Sequence, residues 1–188
     1  NEIDNELKSN PKIAKLKPAI DAIRKHYDPI KKQHEAFVHR LVNDHDLTKT
    51  EINKAMNSPI YQAHLLQNPH SHIVMTVLNH PKADNETTWC AAQHADPQVA
   101  LAALNHPKAD NETTWRAAKN HNSQVAMTGL NHPKADMGTT WRAAQHQDPQ
   151  VALAALNHPK ADMGTTWYAS KHHDPKVALA ALNHPKAD

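Results

Sequence analysis

Residues 151–176 read VALAALNHPKADMGTTWYASKHHDPK, and this stretch returns with few changes along most of the chain. The string NHPKAD begins at residues 79, 105, 131, 157 and 183, so each copy starts 26 residues after the one before it. A fixed period of this length is typical of solenoids, in which each repeat stacks on its neighbours. The sequence therefore predicts a tandem array over residues 73–188.

Each repeat carries the signals of two short helices. Asp148 and the proline after it precede the apolar run VALAAL, which places an N-cap acceptor and a first-turn proline at a helix start. The run ends at Asn157, where we expect the left-handed conformation that closes many helices. A second helix, carrying Trp141, is predicted to start at Asp136 or at the two threonines that follow it.

The repeat predicts an all-α solenoid of short helix pairs, with either α or 3-10 helices. Helices of about seven to nine residues are unstable alone in water, so stacking has to stabilise them. Strands are excluded because Ala, His, Lys, Asn, Asp and Pro form strands poorly and no alternating pattern is present.

Two segments precede the array. Residues 47–72 resemble a degenerate first repeat, because Thr48 and Glu51 fit a capping box and Asn57 stands where later repeats have Asn-His-Pro. Residues 1–46 are predicted to form an N-terminal helical cap or accessory module. A basic stretch runs from residue 12 to 32, with seven Lys or Arg and two Asp.

The N-terminal module is predicted to contain two helices. Pro18 either starts or kinks the first of them. Its apolar stripe has helical spacing and comprises Ile13, Leu16, Ile20, Ile23 and Tyr27. The second helix is indicated by Ile30, Phe37, Val38, Leu41 and Val42.

Composition excludes several classes of protein. The mean hydropathy is −0.77 and there is no long apolar run, so no membrane partner is expected. One Cys excludes a disulfide framework, and three Gly exclude a glycine-rich phosphate loop. Residues 1–10 lack a signal peptide, which favours a cytoplasmic protein. The array stops in mid-repeat at Asp188, which predicts that further repeats follow in the natural protein.

The repeat resembles the leucine-rich repeat variant, a bacterial solenoid family. The resemblance lies in Asp-Pro-x-Val, an alanine- and leucine-rich helix, Asn-x-Pro and a threonine-initiated second helix, over residues 51–188. It implies a right-handed superhelical scaffold and no enzymatic activity. A Cys-rich iron–sulfur module, found in one family member, does not carry over because Cys90 is the one cysteine.

Two sets of residues recur once per repeat as structural columns. The tryptophans are expected to fill space between alanines, although an exposed aromatic ladder is the alternative. The histidines of NHPKAD are expected to hydrogen-bond at helix ends rather than to bind metal. These columns are Trp89, Trp115, Trp141 and Trp167, and His80, His106, His132, His158 and His184. We expect the remaining histidines of the array to be irregular and exposed, namely His94, His121, His146, His172 and His173.

A few positions differ between repeats and are the candidate binding residues. Directly after each tryptophan stand Cys90, Arg116, Arg142 and Tyr168. Four residues after it stand Gln93, Lys119, Gln145 and Lys171, and six residues after it Ala95, His121, Gln147 and His173. Such positions read a partner in modular binders. Exposed helix positions also drift freely after duplication, and we favour that interpretation.

The sequence thus predicts a non-enzymatic scaffold that binds a protein or peptide partner, without a cofactor or metal. The array has ten basic and ten acidic residues, whereas a nucleic-acid binder is expected to carry a positive excess. DNA or RNA binding by the array and the basic N-terminal stretch is the alternative. A weaker one is a metal- or pH-responsive surface built on the histidines.

Overall fold

The computed structural model describes residues 17–187, and every regular element in that range is an α-helix. None of these helices is long and apolar enough to cross a membrane. The helices are α1 (Lys17–Asn43), α2 (Lys49–Met56), α3 (Pro59–Leu65), α4 (Ser71–Leu78), α5 (Asn85–Ala91), α6 (Pro97–Leu104), α7 (Asn111–Ala117), α8 (Ser123–Leu130), α9 (Met137–Ala143), α10 (Pro149–Leu156), α11 (Met163–Ser170) and α12 (Pro175–Leu182).

From α4 onwards the helices form a regular stack, which confirms the all-α solenoid. Each helix packs against the next helix in the chain and against the equivalent helix of the next pair. We refer to the pairs α4/α5, α6/α7, α8/α9 and α10/α11 as units 1 to 4. The first helix of each unit buries four small or aliphatic residues, which in α6 are Val99, Ala100, Ala103 and Leu104.

The predicted N-caps are present. Asp96 caps α6, whose first residue is a proline, and its Oδ1 accepts from the backbone N–H of Gln98 at 2.9 Å. Asp110 caps the second helix of unit 2, and Thr113 at the third helical position closes a capping box. The second helix therefore begins directly after the aspartate of NHPKAD, which was one of the two predicted starts.

The helix ends differ from the prediction. Asn105 closes α6 with φ −84°, and no described residue has a positive φ. In the equivalent position of unit 4, the amide of Asn157 donates to the carbonyl of Leu153 at 3.0 Å. Asparagine thus satisfies a helix-end carbonyl with its side chain, so the chain needs no left-handed residue there.

In the described part of the N-terminal module, residues 17–43 form one long helix where two were predicted. Helix α1 starts at Lys17, has Pro18 in its first turn and passes through Pro29 without ending. Its last part packs on α3 and buries Leu41. The apolar stripe of its first part faces solvent, with Ile23 and Tyr27 more than half exposed. Ile13 and Leu16 lie outside the described residues.

Hydrogen bonds across the units centre on the aspartate that caps each second helix. Asp110 accepts from Trp89 Nε1 at 2.7 Å and from Asn85 Nδ2 at 2.7 Å, both in unit 1, as well as from Thr113 of its own helix. Burial raises the pKa of Asp110, but these hydrogen bonds outweigh burial and hold it at about 2. The carboxylate therefore stays ionised and joins two units.

Buried threonines form a second link between units. The Oγ1 atoms of Thr88 and Thr113 lie 3.0 Å apart, and the same contact joins each later pair of neighbouring units. No buried side-chain N or O atom in the described range lacks a hydrogen-bond partner. The second helices are thus held in register by polar contacts as well as by packing.

Replacing Asp110 with alanine is expected to destabilise the array by about 2–3 kcal/mol, because the helix cap and the bonds from unit 1 are lost together. Urea unfolding followed by circular dichroism measures the change. Asp174→Ala is the control, since Asp174 caps α12 through N–H groups of that helix alone and is expected to cost about 1 kcal/mol. Equal losses in the two variants would show that the bonds across units add nothing.

Candidate binding face

The second helices of units 1 to 4 expose one common side, which we call the tryptophan face. In α7, Thr113, Thr114, Ala117 and Ala118 point into the core, so the positions between them are left outside. The face consists of the tryptophan, the residue after it and the residue four positions after it. Its members are Trp89, Cys90, Gln93, Trp115, Arg116, Lys119, Trp141, Arg142, Gln145, Trp167, Tyr168 and Lys171.

The tryptophans lie between units and are half-buried rather than fully buried or freely exposed. The Trp89 indole donates to Asp110 of the next unit, and the guanidinium of Arg116 lies 5.7 Å from the Trp89 ring centroid. Arg142 lies 5.6 Å from the Trp115 centroid in the same way. Each tryptophan therefore links two units and still offers part of its ring to solvent.

Trp167 is more exposed than the other three tryptophans. It is 53% exposed, and the Nζ of Lys171 lies 3.2 Å from its ring centroid. An apolar cavity of about 430 Å³ opens beside it, lined also by Trp141, Met163, Tyr168 and Leu182 among others.

The two arginines of the face have different partners. Arg116 Nε donates to Glu112 Oε1 at 2.6 Å, one helical turn earlier. The equivalent position before Arg142 is Gly138, and in the part of the chain that the structure describes Arg142 has no ion pair or hydrogen bond. Its stacking on Trp115 orients the guanidinium but leaves its five N–H donors unused.

The remaining predicted binding residues line shallow grooves between units. A groove of about 390 Å³ contains Gln93, Ala95, Lys119 and His121 along with three flanking residues. The next groove, about 200 Å³, is lined by Ala118, Lys119, His121, Arg142, Gln145, His146 and Gln147. His173 and Lys171 are exposed at the equivalent place in the last unit. The structure therefore brings the three sets of variable positions together.

The histidines of NHPKAD act as local hydrogen-bond acceptors. The Nδ1 of His106 accepts from the backbone N–H of Lys108 at 3.1 Å, and the same bond is present at His80, His132, His158 and His184. Burial, and then the charge of Lys160, lower the pKa of His158 below its usual value. These histidines stabilise the turn after the first helix, which agrees with a hydrogen-bonding role at helix ends.

A second histidine column links the units, contrary to the expectation that these residues are irregular and exposed. His146 is 7% exposed; its Nδ1 accepts from the N–H of Asp148 at 3.0 Å, and its Nε2 lies 2.9 Å from the carbonyl oxygen of Asn120. Asn120 makes both kinds of bond at the equivalent position: its Oδ1 accepts from the N–H of Asn122, and its Nδ2 donates to the carbonyl of Ala92. This linking column comprises Asn68, His94, Asn120, His146 and His172, whereas His121 and His173 are exposed.

The signal for the linking column was present in the sequence. Its members recur every 26 residues, but they are divided between two residue types and so do not stand out as a repeated letter. Histidine in its Nε2–H tautomer and asparagine both present an acceptor and a donor in similar positions. Their equivalence becomes evident only from the hydrogen bonds.

Three of the lysines of NHPKAD donate to groups earlier in the chain. The Nζ of Lys160 donates to the carbonyl of Ala135, that of Lys186 to the carbonyl of Ala161, and that of Lys82 to Oδ1 of Asn57. These three amines are therefore poorly placed to bind an external phosphate, whereas Lys108 and Lys134 make no such bond in the described range.

The described residues contain no group of three or more His, Cys, Asp or Glu side chains that could hold a metal ion. Cys90 takes the position that Arg116 and Arg142 take in later units. Burial raises the pKa of its thiol, more than the Arg116 charge lowers it, so the thiol stays protonated at neutral pH.

No family model matches this chain, and neither a curated protein nor a solved structure does. Membership of the leucine-rich repeat variant family therefore stays a prediction.

Exchanging His146 for asparagine is expected to change the free energy of unfolding by less than about 0.5 kcal/mol, because asparagine makes the same two bonds at position 120. His146→Ala leaves the N–H of Asp148 and the carbonyl of Asn120 unpaired and is expected to cost about 2 kcal/mol. Urea unfolding measures both, with exposed His121→Ala as a neutral control. An alanine variant as stable as the wild type would contradict the linking role.

Tryptophan fluorescence should separate Trp167 from the other three. Acrylamide is expected to quench one emission component strongly, since Trp167 is exposed while Trp89, Trp115 and Trp141 are covered by the next unit. Trp167→Phe should remove that component, and Trp115→Phe should leave it. If the four indoles are quenched equally, the interleaving of tryptophans between units is wrong.

Proposed function

We propose that the chain is a non-enzymatic repeat scaffold that binds an extended segment of a protein or peptide partner along the tryptophan face. The observation that carries the proposal is the pattern of variation in the repeat. The capping aspartate and the buried threonines that join the units are kept in every unit, and the linking position is always His or Asn, while the outward-facing residues beside each tryptophan change from Cys to Arg to Tyr and from Gln to Lys.

The face has the chemistry that peptide-binding surfaces use. Tryptophan, tyrosine and arginine are enriched at the centres of protein interfaces, because they combine large apolar area with fixed polar groups. Here the rings and guanidinium groups are held by stacking across units, as Trp115 is with Arg142. A partner would thus meet side chains that are already ordered, which reduces the entropy lost on binding.

The spacing of the units indicates the length of the partner segment. Packed helices lie about 8–10 Å apart, and an extended chain rises about 3.3 Å per residue. Each unit would therefore contact about three residues, and the four tryptophans about twelve. An apolar side chain of the partner could occupy the cavity beside Trp167.

Nucleic acid is the second candidate, because stacked rings with flanking cations also bind single strands. The charges favour a peptide. Glu86 and Glu112 stand on the same side of the second helices, one turn before the residue that follows the tryptophan. Three of the five repeated lysines, Lys82, Lys160 and Lys186, already donate to groups earlier in the chain.

Panning the chain against a displayed library of random peptides about twelve residues long is expected to enrich binders. Trp115→Ala should weaken a synthesised binder about 30-fold, the usual loss for a central interface tryptophan. Fluorescence anisotropy of the labelled peptide measures the affinity, and circular dichroism shows whether the variant is folded. We choose Trp115 because it makes no hydrogen bond to the next unit's aspartate in the described range.

Gln124→Ala is the matched control, since this exposed residue lies on the first helix of unit 3 and away from the tryptophan face. It should leave the affinity unchanged. If no peptide is enriched, or if Gln124→Ala weakens binding as much as Trp115→Ala, the proposed function is wrong. Salt-dependent binding of single-stranded DNA or RNA without peptide binding would support the second candidate.

A further inference from the structure

One groove of the tryptophan face is cationic and contains no carboxylate. It lies between units 2 and 3, where Lys119 and Arg142 bring two positive charges. Its other lining residues are Ala118, His121, Gln145, His146 and Gln147, none of which carries a carboxylate. No ion pair involves Lys119 or Arg142 in the described range.

Arg142 is oriented by a contact with an aromatic ring. Its guanidinium carbon lies over Trp115, 5.6 Å from the ring centroid, and the residue is half-buried. A guanidinium prepared in this way loses little freedom when it binds a carboxylate with two parallel hydrogen bonds. The amides of Gln145 and Gln147 add neutral donors to the same groove.

The neighbouring units show that this groove is special within the array. In unit 2 the equivalent arginine, Arg116, is neutralised by Glu112 at 2.6 Å. Unit 1 has Cys90 at that position and unit 4 has Tyr168, so neither offers a guanidinium. Unit 3 has Gly138 where unit 2 has Glu112, so Arg142 lacks the internal carboxylate that pairs with Arg116.

We infer that the partner of the tryptophan face carries an acidic side chain, Asp or Glu, that seats in the groove of Lys119 and Arg142. This inference rests on the proposed function and names the chemistry of the partner at one position. The carboxylate takes the place that Glu112 occupies beside Arg116 in the preceding unit. The adjoining units then contact the residues on either side through their tryptophans.

The test uses peptides selected from the random library and their Asp→Asn or Glu→Gln forms. Arg142→Gln and Gly138→Glu should each weaken an acidic peptide about tenfold, the first by removing the cation and the second by supplying an internal carboxylate. Gly138→Gln is the matched control, because it adds the same bulk without charge and should stay within about twofold. A Cβ at position 138 would lie 3.6 Å from the Trp115 ring, an ordinary contact, and 3.2 Å from Oδ1 of Asp136, a tighter one that both Gly138 variants share.

A reverse variant tests the same idea by a gain. Glu112→Gln frees Arg116 and should add a preference for a second acidic residue about three positions away in the selected peptides. Gln124→Ala, which lies on the first helix of unit 3 and outside the tryptophan face, should leave the affinity for the original peptide unchanged.

The outcomes are separable. The inference is supported if the enriched peptides carry an acidic residue and lose affinity when that residue is changed to its amide. In addition, Arg142→Gln should bind the acidic and the amide forms equally well. Peptides that bind without an acidic preference, or whose preference survives in Arg142→Gln, would overturn it and leave the proposed function standing. Absence of any peptide binder would overturn both, and so would tight binding of a single-stranded oligonucleotide that depends on Arg142.

Discussion

The array depends on the capping aspartate of each second helix, which in units 2 to 4 accepts a hydrogen bond from a side chain of the preceding unit. A helix of seven or eight residues cannot persist alone in water, so each one needs partners outside itself. The first four backbone N–H groups of α7 lack helical partners, and Asp110 accepts a hydrogen bond from one of them. The same carboxylate accepts a hydrogen bond from Trp89 of the preceding unit. The same aspartate thus caps the start of the helix and holds that helix against the preceding unit.

That coupling explains which positions of the repeat can change. The aspartate, the two threonines and the linking histidine or asparagine each satisfy groups in two units, so a substitution there affects a pair of units. Residues on the outer side of the second helices contact solvent and the neighbouring ring only. Variation on the tryptophan face therefore alters charge and shape without disturbing the stack.

Much of the fold follows from local patterns in the sequence. The period and the Asp-Pro starts depend on residues within a few positions of each other, so reasoning from spacing finds them. The linking column was missed because it depends on the geometric likeness of His146 and Asn120 rather than on identity. The stacking of Arg116 on Trp89 was also missed, since it joins residues 27 positions apart whose register is set by packing. The two apolar groups of the N-terminal module were read as two helices, whereas one helix runs through Pro29 and carries both.

The use of one side chain for two purposes has a consequence for specificity. A tryptophan that stabilises the stack cannot vary freely, so the rings give every unit the same apolar contact. Discrimination has to come from their neighbours. The ion pair of Arg116 with Glu112 contributes little to helix stability, about 0.5 kcal/mol or less, yet it decides whether the guanidinium can accept an external anion. Glycine one turn earlier, as at Gly138, leaves the guanidinium without this internal partner while the second helix keeps its capping box. In the proposed scaffold, a residue that never touches the partner would therefore decide whether a unit offers a charged binding position.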